Sequence, residues 1–525
     1  MNNPIGEKLK RYVLALTAFF LLTSGCAMVG PDYVKPTVQA PEEWIEKADP
    51  QIKSEPTELG EWWKLFNDPV LDNLIETAYA QNLTLRIAGI RILEARAQLG
   101  IAIGTLYPQQ QRALGAYTRS YLSENLADFP PGLDTNFSNY SLGFDAAWEL
   151  DFWGKIRRAV QSGIGNLDAT IAAYDSALVT LTGEVARTYV VIRTFEERLV
   201  VARENVKIQE RSLQIAQVRF EEGGVSELDV TQALSLLRDT QASIPRAEKQ
   251  LRQAKNALAI LLGILPGQIQ KMLIGPEIIP TVPTEVAVGI PAELLRRRPD
   301  IRRAERQMAS QSARIGVAKA DLFPHFVLFG TIGFSAANAG DLFTSSSLMA
   351  FGGPGFTWDL FNYGRITNRV RVQDALFEQL VVNYQNTVLK AAKEVEDAMV
   401  AFLKTQKESA LLGESVKASK RSVDLSMLQY TEGLISYQRV LDTQRFLTLT
   451  QEGHTIIRGS IVTNLVALYK ALGGGWETRI GKEFVPGSVK EAMEKRTNWG
   501  DLLTPAKLEK PDPDKEERLW RSPEW

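Results

Sequence analysis

The chain predicts a mainly α fold with a transmembrane β part, built as one structural unit made twice. Three observations carry that expectation: a long internal repeat, heptad seams that run for dozens of residues, and segments of strict apolar–polar alternation. The repeat shows first at two turns. AQVRFEEGGVSELDVTQAL at 216–234 lies over SMLQYTEGLISYQRVLDTQ at 426–444, an offset of 210. Phe220 falls on Tyr430, Glu222 on Glu432, Gly223 on Gly433, Ser226 on Ser436 and Val230 on Val440. LDFWGKIRRA at 150–159 matches LFNYGRITNR at 360–369 at the same offset, and AKNALAILLG at 254–263 matches NLVALYKALG at 464–473. An earlier piece matches at 216, with Gly100, Ala102, Leu106 and Pro108 on Gly316, Ala318, Leu322 and Pro324. A period this long marks a duplicated unit rather than a solenoid.

The N-terminus has its own logic. Lys8, Lys10 and Arg11 precede an apolar stretch from Tyr12 to Leu22, too short to span a bilayer comfortably. Thr23, Ser24 and Gly25 then lead to Cys26, the only cysteine of the chain. This predicts a lipoprotein signal over 1–25, cleaved before Cys26, with lipid (palmitate) on its thiol and new amino terminus. The alternative is an ordinary secretory signal with an incidental cysteine. Ala27, rather than Asp, favours the outer membrane. No intrachain disulfide is possible. No later stretch holds about 18 uninterrupted apolar residues, so a mature chain that crosses a membrane must do so as a β-barrel.

Residues 26–60 are expected to be an extended segment, 61–263 the first repeat, 264–290 a linker and 291–473 the second repeat. Each repeat opens with a helical segment that ends at Pro108 or Pro324. Two strands follow, at 109–121 and 140–152, then at 325–335 and 348–361. Long helices come next, 154–222 and 227–262, then 364–432 and 437–472. Along the first long helix, positions 160, 164, 167, 171 and onward at 4,3 spacing to 220 are apolar at sixteen of eighteen places. That is a sustained heptad seam. The same register in the second repeat is weaker, with Asp374, Thr405, Ser409, Ser419 and Ser426 in it. At 1.5 Å per residue such helices are about 100 Å long. Gly223, Gly224 and Gly433 end them, because glycine takes the left-handed dihedral of a tight helix stop. Ser226 and Ser436 stand where N-caps of the returning helices are wanted. Each turn is thus the tip of a long antiparallel hairpin.

The strand at 140–152 reads YSLGFDAAWELDF. Tyr140, Leu142, Phe144, Ala146, Trp148, Leu150 and Phe152 share one face, as on a lipid-facing barrel strand. A buried sandwich sheet is the alternative. Phe356, Trp358 and Leu360 form the apolar face of the fourth strand, which Pro354 interrupts and Gly352, Gly353 and Gly355 weaken. Four strands cannot close a barrel, for which about eight are needed. Symmetric copies must therefore share it.

Composition narrows the function. With 60 Lys and Arg against 62 Asp and Glu, the formal charge is −2, so no broad electrostatic surface for nucleic acid is expected. Two histidines, far apart, argue against histidine catalysis or a multi-histidine metal site. No Walker motif, nucleophile elbow or zinc spacing is present. No enzyme activity, cofactor or metal is expected.

These features resemble the TolC-like outer membrane factor family, in particular its NodT-type efflux lipoproteins. The resemblance rests on CAMVGPDYVKP at 26–36, EWWKLFNDPVLDNLI at 61–75, LLRRRPDIRRAE at 294–305 and YKALGGGW at 469–476. It runs from about residue 20 to 476 with the motifs in order. It implies a homotrimer whose twelve strands form one barrel in outer membrane lipid and whose helices form a periplasmic tube. The tube would meet a periplasmic adaptor (membrane fusion) protein serving an inner-membrane, proton-driven pump. The resemblance makes Gly223, Val225, Ser226, Gly433 and Ser436 the adaptor-docking surface; the plainer reading is that the glycines only permit the turn. It makes Asp442 a ring position of a gate and Asp229 and Tyr430 a linking pair between hairpins. Arg439 stands where relatives often carry another acid, and Ile435 where some carry a basic residue.

Three other functions stay in view: a duct for protein or peptide secretion with a different inner-membrane partner, a pore-free coiled-coil scaffold lipoprotein, and, least of all, an enzyme. Arg296, Arg297 and Arg298 are expected on a solvated helix start beside Asp300. The tail from Glu477 to Trp525 is expected to be extended or disordered.

Overall fold

The structure is a computed structural model that describes residues 28–37, 43–53, 55, 59–123, 135–289, 291 and 297–504. The signal segment, Cys26, Arg296 and the residues beyond 504 lie outside it. In chain order the principal elements are α1 (Pro69–Gln81), α2 (Leu83–Gly104), β1 (Gln110–Tyr121), β2 (Asn136–Leu150), α3 (Lys155–Glu221) and α4 (Glu227–Leu262). The second half repeats most of them as α5 (Pro299–Ala320), β3 (His325–Ala336), β4 (Leu348–Thr357), α6 (Arg365–Thr431) and α7 (Tyr437–Ala471). Among the described helices none is long and apolar enough to cross a membrane.

Helices α3 and α6 have 67 residues each and start after Gly154 and Gly364, both at positive φ. The predicted seam of α3 is its packed face: Leu178, Val185 and Ile192 have no exposure. Each such burial stabilises by about 1.5–3 kcal/mol. The weaker seam of α6 packs through hydroxyls, with Ser426 Oγ 2.8 Å from Thr443 Oγ1 of α7. Helix α4 runs through Pro245 without a break.

The halves meet where α3 lies antiparallel to α7. That joint is polar: Arg458 pairs with Glu197 and Arg198 with Glu452. Asn205 Nδ2 donates to Gln451 Oε1 at 2.8 Å, and Ser212 Oγ lies 3.0 Å from Tyr437 OH.

The four strands form one antiparallel sheet in the order β1-β2-β3-β4. Its central pair joins the two repeats, Leu142 opposite Phe334 and Phe144 opposite Ile332. In the single chain β1 and β4 are open edges. Several strand ends differ from expectation, and β2 begins at Asn136 rather than 140. Strand β2 stops at Leu150 because the Asp151 carboxylate turns away to accept from the backbone N–H of Ile156 and Arg157, 2.9 Å each. It thereby caps α3, whose N-cap residue, Gly154, has no side chain. Strand β4 stops at Thr357, and Pro354 lies within it, paired with Leu328. A proline is tolerated there because β4 is an edge strand.

The N- and C-terminal motifs pack on each other at mid-height. Trp62 is buried and stacks on Tyr469, ring centres 5.3 Å apart. A Cβ at Gly474 would lie 2.9 Å from the Trp62 ring, so this stack needs glycine. The run Arg297–Arg298 is not a solvated helix start. Arg298 is buried, pairs with Asp300 and Glu394, and donates to the Ala471 carbonyl at 2.8 Å. Those carboxylates and the orphan carbonyl ending α7 make burial of the cation tolerable.

The tail also departs from expectation, for residues 477–504 are folded. A one-turn helix over Trp476–Arg479 leads to α8 (Gly487–Glu494) and a last turn at Gly500–Leu503. Val485 and Met493 pack on Leu93 of α2. Arg479 is buried against Asp175 of α3, its Nη2 2.9 Å from Oδ2, and Arg302 of α5 reaches the same oxygen at 3.3 Å. Low hydrophobicity and charge suggest disorder only when a segment has nothing to bury against, and here the groove beside α2 supplies that surface.

Candidate functional site

Both hairpin tips are Schellman stops. Gly223 has φ +73 and Gly433 φ +76. At the first, the Gly223 N–H donates to Phe220 O at 3.0 Å and that of Gly224 to Arg219 O at 2.8 Å. At the second, Gly433 donates to Tyr430 O at 3.0 Å and Leu434 to Gln429 O at 2.9 Å. Ser226 and Ser436 do hold the N-cap positions of α4 and α7, yet neither hydroxyl makes a capping bond. Val225 and Ile435 are half-buried against a small core of Ala216, Ala233, Leu236, Tyr430, Tyr437, Val440 and Leu441.

Within that core the hairpins are joined. Tyr430 is 1 % exposed, and its OH donates to Asp229 Oδ2 at 3.2 Å, from α6 to α4. Burial, with Asp229 beside it, holds the phenol above the usual tyrosine range, so it stays protonated and donating. Tyr437 packs edge-on to it at 5.2 Å. The structure thus brings Asp229 and Tyr430 together. Asp442 and Arg439 are exposed, and Asp442 accepts from Gln438 Nε2 at 3.0 Å. Neither touches the Tyr430–Asp229 bond.

At the other end of the molecule, Tyr140, Leu142, Phe144 and Trp148 share a face with Phe334, Ile332 and Leu328 of β3. Phe144 is 65 % exposed in the single chain. Trp358 lies one residue past β4. Its indole N–H donates to Leu322 O at 3.0 Å, as that of Trp148 does to Leu106 O at 3.2 Å. The two tryptophans therefore also tether their strands to the helix ends before them, a duplicated contact that alternation alone does not reveal.

Sequence reasoning missed Arg219. Its guanidinium lies over the Tyr430 ring, 4.7 Å from the centre, and donates to the Tyr430 carbonyl. The one available signal was its place a turn before Gly223, which no pattern rule singles out.

Two helices of 67 residues, each about 100 Å long and folded back on a shorter partner, joined to a sheet with an exposed apolar face, are the architecture expected of an outer membrane channel subunit. The chain belongs to the outer membrane efflux protein family, whose profile matches residues 74–264 and 290–474. It is 30% identical over 470 residues to the pyoverdine export outer membrane protein OpmQ of Pseudomonas aeruginosa, covering 89% of this chain and 97% of that one. It is 32% identical over 446 residues to nodulation protein T of Rhizobium leguminosarum bv. trifolii, covering 84% and 93%. The solved structure of the outer-membrane channel OprN superposes with a TM-score of 0.80 at 31% identity, over 86% of this chain and 99% of that one. The protein is an outer membrane efflux channel with a TolC-like fold.

Proposed function

We propose that three copies close one duct, each giving four strands to a twelve-stranded barrel and two hairpins to a helical tube. The observation that carries this reading is the sheet itself. Its outer strands β1 and β4 have open edges and its apolar face is exposed, while the same chain carries hairpins too long for a compact domain. An open strand edge is a template for pairing with another chain, and lipid covers an apolar barrel face. Cys26 anchors the chain by its lipid. Gly223, Val225, Ser226, Gly433 and Ser436 form the periplasmic mouth and meet the adaptor. Asp229, Tyr430, Asp442 and Arg439 set how far the mouth opens. Cargo is small molecules delivered by a proton-driven inner-membrane pump, and the duct itself is passive.

The test has two arms. Cysteines at Thr118 and Met349 place one thiol on each open edge, and oxidation is expected to link chains into a covalent trimer. A chain that stays monomeric in membranes would sink the shared barrel. A photo-crosslinking residue at Ser436 is expected to capture a periplasmic adaptor together with a proton-driven pump. Capture of an ATP-driven exporter instead would replace efflux by protein secretion.

A further inference from the structure

We propose that Arg219 is the positioning residue that holds Tyr430 in place for Asp229, so that the first hairpin grips the second from both of its helices. The inference rests on the reading of the tips as the mouth of the duct. Tyr430 of α6 is held in a pincer. From α4, the Asp229 carboxylate accepts a 3.2 Å hydrogen bond from its hydroxyl. From α3, Arg219 places its guanidinium over the ring at 4.7 Å and donates to the carbonyl of the same residue. A cation over a tyrosine face is attractive, more so when partly desolvated, and Arg219 is half-buried. Among the described residues no carboxylate pairs with it, so the ring and the carbonyl are what hold the cation.

Two further facts fit the pincer. A Cβ at Gly433 would lie 3.3 Å from Arg219 Nη2, whereas a Cβ at Gly223 would meet nothing within 4 Å. Gly433 therefore leaves room for the guanidinium as well as making the turn. The duplication supplies the second. At the offset of 210 the residues matching Arg219, Phe220 and Asp229 are Gln429, Tyr430 and Arg439. Where the second hairpin meets the first hairpin of a neighbouring copy, the pincer would need Gln429 and Arg439 to hold Phe220. Phenylalanine has no hydroxyl, glutamine no charge, and arginine cannot accept a hydrogen bond. The grip is built only within a chain, so each chain's own clasp must release for the mouth to open.

The experiment measures single-channel conductance of the full-length protein in planar bilayers for wild type, R219A, R219K, R219Q, Y430F and D229N. Removing the cation is expected to raise the open-to-closed ratio roughly 2- to 30-fold, the range a cation–π contact supports. R219K, which keeps a cation, is expected to restore most of the closure, and R219Q little of it. R219A on a Y430F background should add less than it does alone. R219A and R219Q conducting like wild type while Y430F and D229N open the channel would overturn the role of Arg219 and leave the mouth in place. No change in any variant would overturn the reading of the tips as a mouth. Should R219A fail to fold, R219K and R219Q decide: equal conductance in the two removes the cation as the agent.

Discussion

Among the arginines that tie the two halves of this chain, those at mid-height and at the tips differ in kind. At mid-height Arg479 is 3 % exposed and faces Asp175, which has no exposure at all. Arg302 shares the carboxylate, and both guanidiniums lie near the Trp476 ring, at 5.0 and 5.7 Å. At the tips Arg219 is half-buried and rests on a ring and a carbonyl. A buried charge cannot lose its counter-charge cheaply, whereas a half-exposed cation over a ring can exchange that contact for water. The middle is therefore a permanent weld and the tips a reversible clasp. On the proposed reading of the tips as a mouth, a duct that opens at one end and holds its shape elsewhere uses both.

Substitutions that break each tie put numbers on that contrast. The largest effect is expected at the weld. Asp175→Ala leaves two guanidiniums in the interior without their shared carboxylate, a loss of about 3–5 kcal/mol, read as a lower melting midpoint of the detergent-solubilised protein. Gly89→Ala follows: the new Cβ would lie 2.3 Å from the Phe484 carbonyl oxygen. Overpacking of that kind costs about 1–3 kcal/mol, and the added cost should appear as faster proteolysis after residue 476. At the clasp, Tyr430→Phe removes one hydrogen bond, about 0.5–1.5 kcal/mol, so melting should shift little while conductance rises. Gly223→Ala costs about 1–2 kcal/mol for its left-handed dihedral, and Gly433→Ala costs the same but also crowds Arg219, so only the latter should open the channel. The smallest effect is expected for Ser226→Ala and Ser436→Ala. With no capping bond to lose, both should fall well short of the roughly 1 kcal/mol of a working N-cap. A loss of that size at either would show that the hydroxyls bond in solution.

Much of this architecture was legible because it rests on periodicity. The seam from Val160 to Phe220 fixes one long helix, and the alternation from Tyr140 to Leu150 fixes one strand. The glycine turns were legible too, since a positive φ leaves few choices of residue. What escaped were contacts between residues far apart in sequence. Nothing near Trp358 says that its indole reaches Leu322, and nothing near Glu477 says that the next residues find a groove on α2. Arg298 looked like part of a solvated run because Glu394 and the Ala471 carbonyl, which help to bury it, are distant in sequence. The Asp229–Tyr430 link came from a family resemblance rather than from spacing. Arg219 escaped both routes, because a cation held by a ring leaves no charge pattern to read.

Gly89 and Phe484 also bear on the order in which the molecule can be completed. The chain is made from its N-terminus, so α2 and α3 exist well before the segment that fills the groove between them. Until then Asp175 lacks one of its two cations and the Gly89 notch stands open. Contacts of such long sequence separation form late and slowly. Residues 477–504 thus act as a check on completeness: a chain cut short before Trp476 has every long helix and strand of the duct, yet its waist is left unsealed.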